Sequence, residues 1–163
     1  MFHTPLFPQS ASPSTIAAYF LYGLEAGLFP EDCAREWAFR MIESIDTPPV
    51  TIIEVASARQ RETIFSTLGT LASDGDKPLA GRWLLDFVHS ELKAGRLPAR
   101  SALRKAMQIA SSTSLPDTVY YDFDSLEDQL WLAENGTCGS VDKTVQYALE
   151  ALASHGRNPA SAT

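Results

Sequence analysis

Acid–base chemistry falls most often to histidine, and this chain has three. His3 lies in the N-terminal lead-in and His155 close to the C-terminal end. His89 follows Asp86 by three residues inside a helical pattern. An Asp–His pair at that spacing can orient an imidazole, but no nucleophile neighbours it, so His89 reads as structural. Ser57, Ser66 and Ser101 fall inside helical patterns, and no G-x-S-x-G or S-x-x-K occurs. Neither G-x-x-x-x-G-K nor G-x-G-x-x-G is present to hold a phosphate. Metal chemistry would need convergent carboxylates. Asp122-Phe123-Asp124, followed by Glu127 and Asp128, is the one candidate. Numbered from Asp122 as a calcium loop, it puts Glu127 where glycine is required and Ala133 where glutamate is required. A metal-dependent hydrolase resting on Asp122 and Asp124 is therefore a remote alternative. The sequence points to a protein that is not an enzyme, with no cofactor and no dedicated metal.

Charge is more informative. From Ala106 to Asp142 there is no Lys or Arg at all. The span holds Asp117, Asp122, Asp124, Glu127, Asp128, Glu134 and Asp142. The remaining acids equal the 13 Lys and Arg in number, so the net charge of −7 comes from this one segment. Tyr120, Tyr121, Phe123 and Trp131 are interleaved with the acids. Aromatic rings supply buried anchors at protein interfaces, and unpaired carboxylates steer and select a basic partner. The candidate partner-binding residues are Asp117, Tyr120, Tyr121, Asp122, Asp124, Glu127 and Asp128. The plainer alternative is a solvated loop and helix start whose rings tuck into the core, with acids that suit a helix N-terminus.

The elements that must position these residues are helical. The chain has 163 residues and is 45% hydrophobic and 20% charged, an ordinary composition for one domain. Three joints carry the same punctuation: Ala26-Gly27-Leu28-Phe29-Pro30, Ala94-Gly95-Arg96-Leu97-Pro98 and Asn135-Gly136-Thr137-Cys138-Gly139. Glycine accepts the left-handed conformation that closes a helix, and proline suits the first turn of the next. The first two joints also align at Ala34 and Ala38 against Ala102 and Ala106. That match fits either an internal duplication or shared cap chemistry. The expected fold is all-α, with seven or eight helices in antiparallel hairpins forming a single compact domain. Residues 1–13 form a loosely ordered lead-in from which Phe2, Leu6 and Phe7 can dock on the core. The helical domain spans 14–156, and 157–163 are a disordered tail.

Helical spacing predicts elements from Ser14 to Gly27, from Pro30 to Ile45, from Arg61 to Ala72, from Pro78 to Ala94 and from Pro98 to Ala110. Val50–Ala58 has strand-like composition but no partner strand, and a short helix is expected there. Asp124 or Ser125 is expected to cap a helix through Leu130, and Ser140 to cap the last. Trp37, Trp83, Phe87 and Trp131 are expected core anchors. Cys33 and Cys138 belong to no CxxC or Cys/His cluster, which suits reduced thiols. The N-terminus lacks a signal-peptide pattern and no apolar run approaches a membrane span. The chain is expected to be cytoplasmic, without membrane or nucleic-acid partners, since the Arg96, Arg100, Arg104 and Lys105 cluster is one stripe on a helix.

Glu36-Trp37-Ala38, Asp46-Thr47-Pro48-Pro49 and Leu132-Ala133-Glu134-Asn135-Gly136-Thr137-Cys138-Gly139 occur in that order. In this the chain resembles small all-helical bacterial proteins of immunity-like or unknown type. The likeness covers short patches between about residues 25 and 155, and carries no functional residue across. It implies a non-catalytic protein that binds one toxin domain tightly, such domains often being basic nucleases. An inhibitor or immunity protein is thus the first functional expectation. A helical scaffold or adaptor that holds a peptide or partner helix is the alternative.

Overall fold

The computed structural model describes residues 7–156. The expectations for Phe2, His3, Leu6 and the 157–163 tail lie outside them. Among the described residues there are eight helices and no strand: α1 Pro13–Glu25, α2 Asp32–Ser44, α3 Val50–Ser57, α4 Arg61–Ala72, α5 Lys77–Lys93, α6 Ala99–Ser112, α7 Asp117–Glu134 and α8 Val141–Gly156. The fold is all-α, as expected, and its short joints fold successive helices back into antiparallel hairpins. The strand-like segment at Val50 is helical, again as expected.

Three of the joints share one geometry. Gly27, Gly95 and Gly136 all have positive φ, between 67° and 74°. Each glycine N–H donates to the carbonyl three residues back, at Leu24, Leu92 and Ala133. The next N–H reaches five residues back, from Leu28 to Gly23, from Arg96 to Glu91 and from Thr137 to Leu132. This pair of bonds satisfies two terminal carbonyls per helix and closes it. The likeness read in the sequence is therefore, at minimum, one shared cap geometry used three times.

The chain is organised as two compact units, and the division falls inside α5, after Ala80. In the first, α1 packs against α4 and α2 against α3. Phe7, Tyr19, Phe20, Phe29 and Trp37 form a chain of ring contacts there, with centroids 5.1–6.0 Å apart. The lead-in thus docks through Phe7, as the sequence suggested. Gly23 lets Phe29 come close, because a Cβ at residue 23 would fall 2.1 Å from the ring. In the second unit, α7 packs against both α6 and α8. Leu84, Leu103, Ile109, Phe123, Leu130 and Leu152 are fully buried there.

Two expectations are corrected. The helix carrying the acidic segment starts at Asp117, a full two turns before Asp124. Asp, Thr and Tyr are weak helix formers, which hid the start. Val119, Phe123, Leu126 and Leu130 are buried along one side, and this tertiary packing outweighs propensity. Trp131 is not a core anchor: it is 55% exposed. It follows Leu130 by one residue, and about 100° of helical rotation carries it off the buried side. Trp37 is buried as expected, whereas Trp83 and Phe87 are only partly so.

Truncating the two tryptophans should therefore give opposite results. Trp37→Ala should cost about 3–5 kcal/mol in a denaturant titration. Trp131→Ala should stay within about 0.5 kcal/mol of the parent.

Candidate functional site

α7 has three sides, set by the rotation of its residues about the helix axis. The inner side is Val119, Phe123, Leu126 and Leu130. One flank faces α6, where Arg104 donates to Glu127 at 2.6 Å and Arg100 pairs with Glu134. The other flank faces α8, where the His155 ring lies 2.8 Å from the Asp122 carboxylate and edge-on to Phe123. His155 is further held by its backbone carbonyl, which accepts from Arg82 of α5.

The outward side keeps what remains. Asp117, Tyr120 or Tyr121, Asp124, Asp128 and Trp131 recur at spacings of three and four, which is one stripe on a helix. Asp117, Asp124 and Asp128 have no ion-pair partner among the described residues. Tyr121 is 64% exposed, and Tyr120 stands perpendicular to it with ring centroids 5.6 Å apart. Of the seven residues proposed from sequence, five therefore share a face. Glu127 and Asp122 are drawn to the flanks by Arg104 and His155.

Trp131 belongs to this stripe, although its residue type points to the core. The signal was available in its position, seven residues beyond Asp124 and three beyond Asp128. The D-x-D pair does not converge: Asp122 reaches toward α8 while Asp124 stands on the outward side. No three His, Cys, Asp or Glu side chains gather as a metal site among the described residues. No helix among them is long and apolar enough to cross a membrane.

Clefts border α7 on both flanks. One, of about 290 Å³, lies between the end of α6 and the first turns of α7 and reaches Tyr120 and Tyr121. The other, of about 200 Å³, lies between α7 and α8 and includes Leu132, Cys138, Lys143 and Tyr147. The two thiols differ sharply. Cys138 is exposed. Cys33 is buried, and burial pushes its thiol up, with the Glu36 and Asp32 carboxylates adding to the shift. The thiolate is the reactive form, so Cys33 is suppressed as a nucleophile.

Comparison with known proteins finds no matching family model, no matching curated protein and no matching solved structure.

Two measurements check that geometry. A disulfide reagent at neutral pH should label one thiol, Cys138, in the folded protein and both after denaturation; rapid labelling of two would contradict the burial of Cys33. A double-mutant cycle on Arg104 and Glu127 should return less than about 1 kcal/mol, because Arg104 is largely in solvent.

Proposed function

We propose that this chain is a non-catalytic binding protein whose α7 outer face covers a basic surface on a partner protein, in the manner of an inhibitor or immunity protein. One observation carries the reading: three aspartates with no ion-pair partner among the described residues and three exposed rings share one side of one helix. The inner side of α7 is anchored by four buried side chains, so the stripe is presented on a rigid element. Rigid aromatic side chains contribute contact area at low entropic cost, and desolvated Tyr and Trp are common binding hot spots. The aspartates supply what the rings lack, a long-range attraction for basic partners and a repulsion of acidic ones. The resemblance to immunity-like proteins agrees with such a role, and basic toxin domains are partners of suitable charge.

The flanks refine which residues matter. Glu127 has an internal partner in Arg104, so an incoming cation would have to compete for it. Asp124 and Asp128 carry no such competitor among the described residues. The binding contribution is therefore assigned chiefly to Asp117, Tyr120, Tyr121, Asp124, Asp128 and Trp131.

The test uses the wild-type chain and the triple variant Asp117→Lys, Asp124→Lys, Asp128→Lys as paired baits in an extract of the native cells. A partner retained by the wild type is then titrated against both at two ionic strengths. The partner should be basic, and the triple variant should bind it about tenfold or more weakly, with a shallower dependence on salt. The partner's own activity should fall when wild type is bound. Equal affinity for the two baits would remove α7 as the docking face.

A further inference from the structure

The cleft between α6 and α7 has a chemistry of its own. It is lined by Ser111, Ser114, Leu115, Asp117, Tyr120 and Tyr121, with Ala110 behind them, and holds about 290 Å³. That volume is at the bottom of the range of small-molecule pockets, roughly 300–1,000 Å³, and suits a single long side chain. Three features fix the sign of its occupant. The C-terminal end of α6, a 14-residue helix, points its partial negative charge here. Asp117 adds a full carboxylate with no ion-pair partner among the described residues. Tyr120 and Tyr121 both line the cleft and meet edge-to-face at 88°, and the face of a tyrosine ring attracts cations.

The one opposing field is the N-terminus of α7, whose positive end adjoins the same cleft. Asp117 in its first turn offsets that end, and Pro116 ahead of it has no N–H to offer. None of the described residues lining the cleft is basic. An anion would meet a carboxylate, a helix C-terminus and two tyrosine rings, with only the α7 N-terminus, offset by Asp117, in its favour. A cation gains from all three.

We infer that this cleft receives one arginine side chain of the basic partner. The inference deepens the binding role proposed above and rests on it. Guanidinium is preferred to ammonium because its planar, delocalised cation stacks on a tyrosine face while its fork of N–H groups reaches a carboxylate. Tyr120 and Tyr121 are the stacking walls, and the Asp117 carboxylate accepts the hydrogen bonds. The left-handed Ser114 (φ 57°) makes the turn that separates the α6 end from Asp117, which gives the cleft its opening.

The probe is N-acetyl-arginine amide, titrated into the full chain and followed through backbone amide resonances. The expected result is saturable binding on the order of millimolar. Shifts should concentrate between Ser111 and Tyr121, and the uncharged citrulline analogue should bind at least about fivefold more weakly. Asp117→Asn and Tyr121→Leu should each weaken binding by a similar factor. Tyr121 is largely in solvent, so that variant retains the fold. Equal binding of the citrulline analogue, equal binding of tetramethylammonium, or shifts located elsewhere would each overturn the arginine assignment. Those outcomes leave the broader binding role standing, because that role is read from the triple lysine variant against a whole partner. Loss of that role would appear there, whatever the probe does here.

Discussion

The seat of α7 on its neighbours decides everything the surface presents. Phe123 is fully buried, with Val119, Leu126 and Leu130 in line with it. A helix fixed by four residues on one side cannot roll, since rolling would expose rings and aliphatic chains whose burial stabilises the fold by roughly 1.5–3 kcal/mol each. Its opposite side is therefore held toward water whatever residues it carries. Here they are aspartates and aromatic rings.

The flanks show the same constraint acting on charge. A carboxylate a quarter-turn from the buried side comes within reach of the neighbouring helix, and there the chain supplies a hydrogen-bonding partner. Arg104 meets Glu127, Arg100 meets Glu134, and His155 meets Asp122. These exposed pairs contribute little stability, but they give three acids of the segment an internal partner. The aspartates on the outer side have no such reach. Compensation on α7 is confined to the positions where the fold can deliver it, and the acids left over on that helix form a narrow stripe.

Much of the architecture was legible in the sequence because helix ends are written in local chemistry. Gly27, Gly95 and Gly136 announce left-handed caps, and the structure closes all three with the same pair of hydrogen bonds. The start of α7 was not legible, since Asp117-Thr118-Val119-Tyr120-Tyr121-Asp122 has the local character of a loop and becomes helix through Val119 and Phe123 packing at a distance in sequence. Trp131 was misplaced for a related reason. Composition says that tryptophan goes inside, while rotation about α7 says that this one does not. The acidic segment stood out from charge counting alone, yet counting could not separate Asp122 and Glu127 from Asp124 and Asp128. That division depends on which helices lie beside α7, and is a tertiary fact.

The outer stripe runs against the stability of the free protein. Asp124 and Asp128 are one helical turn apart, and like charges at that spacing destabilise a helix by roughly 0.2–0.5 kcal/mol. Trp131 and Tyr121 leave more than half of their surface in water, forgoing the stabilisation that burial would give. A lysine in place of Asp124 or Asp128 would relieve the repulsion, and a polar residue at position 131 would leave no exposed ring. Both terms change sign when a cationic, ring-covering surface arrives. Repulsion between the aspartates is then replaced by attraction to the partner, and the exposed rings are withdrawn from water. The features that cost the isolated chain are thus the same ones from which a complex would gain. The gain needs no movement of α7, because the buried side that holds the helix is not the side that binds.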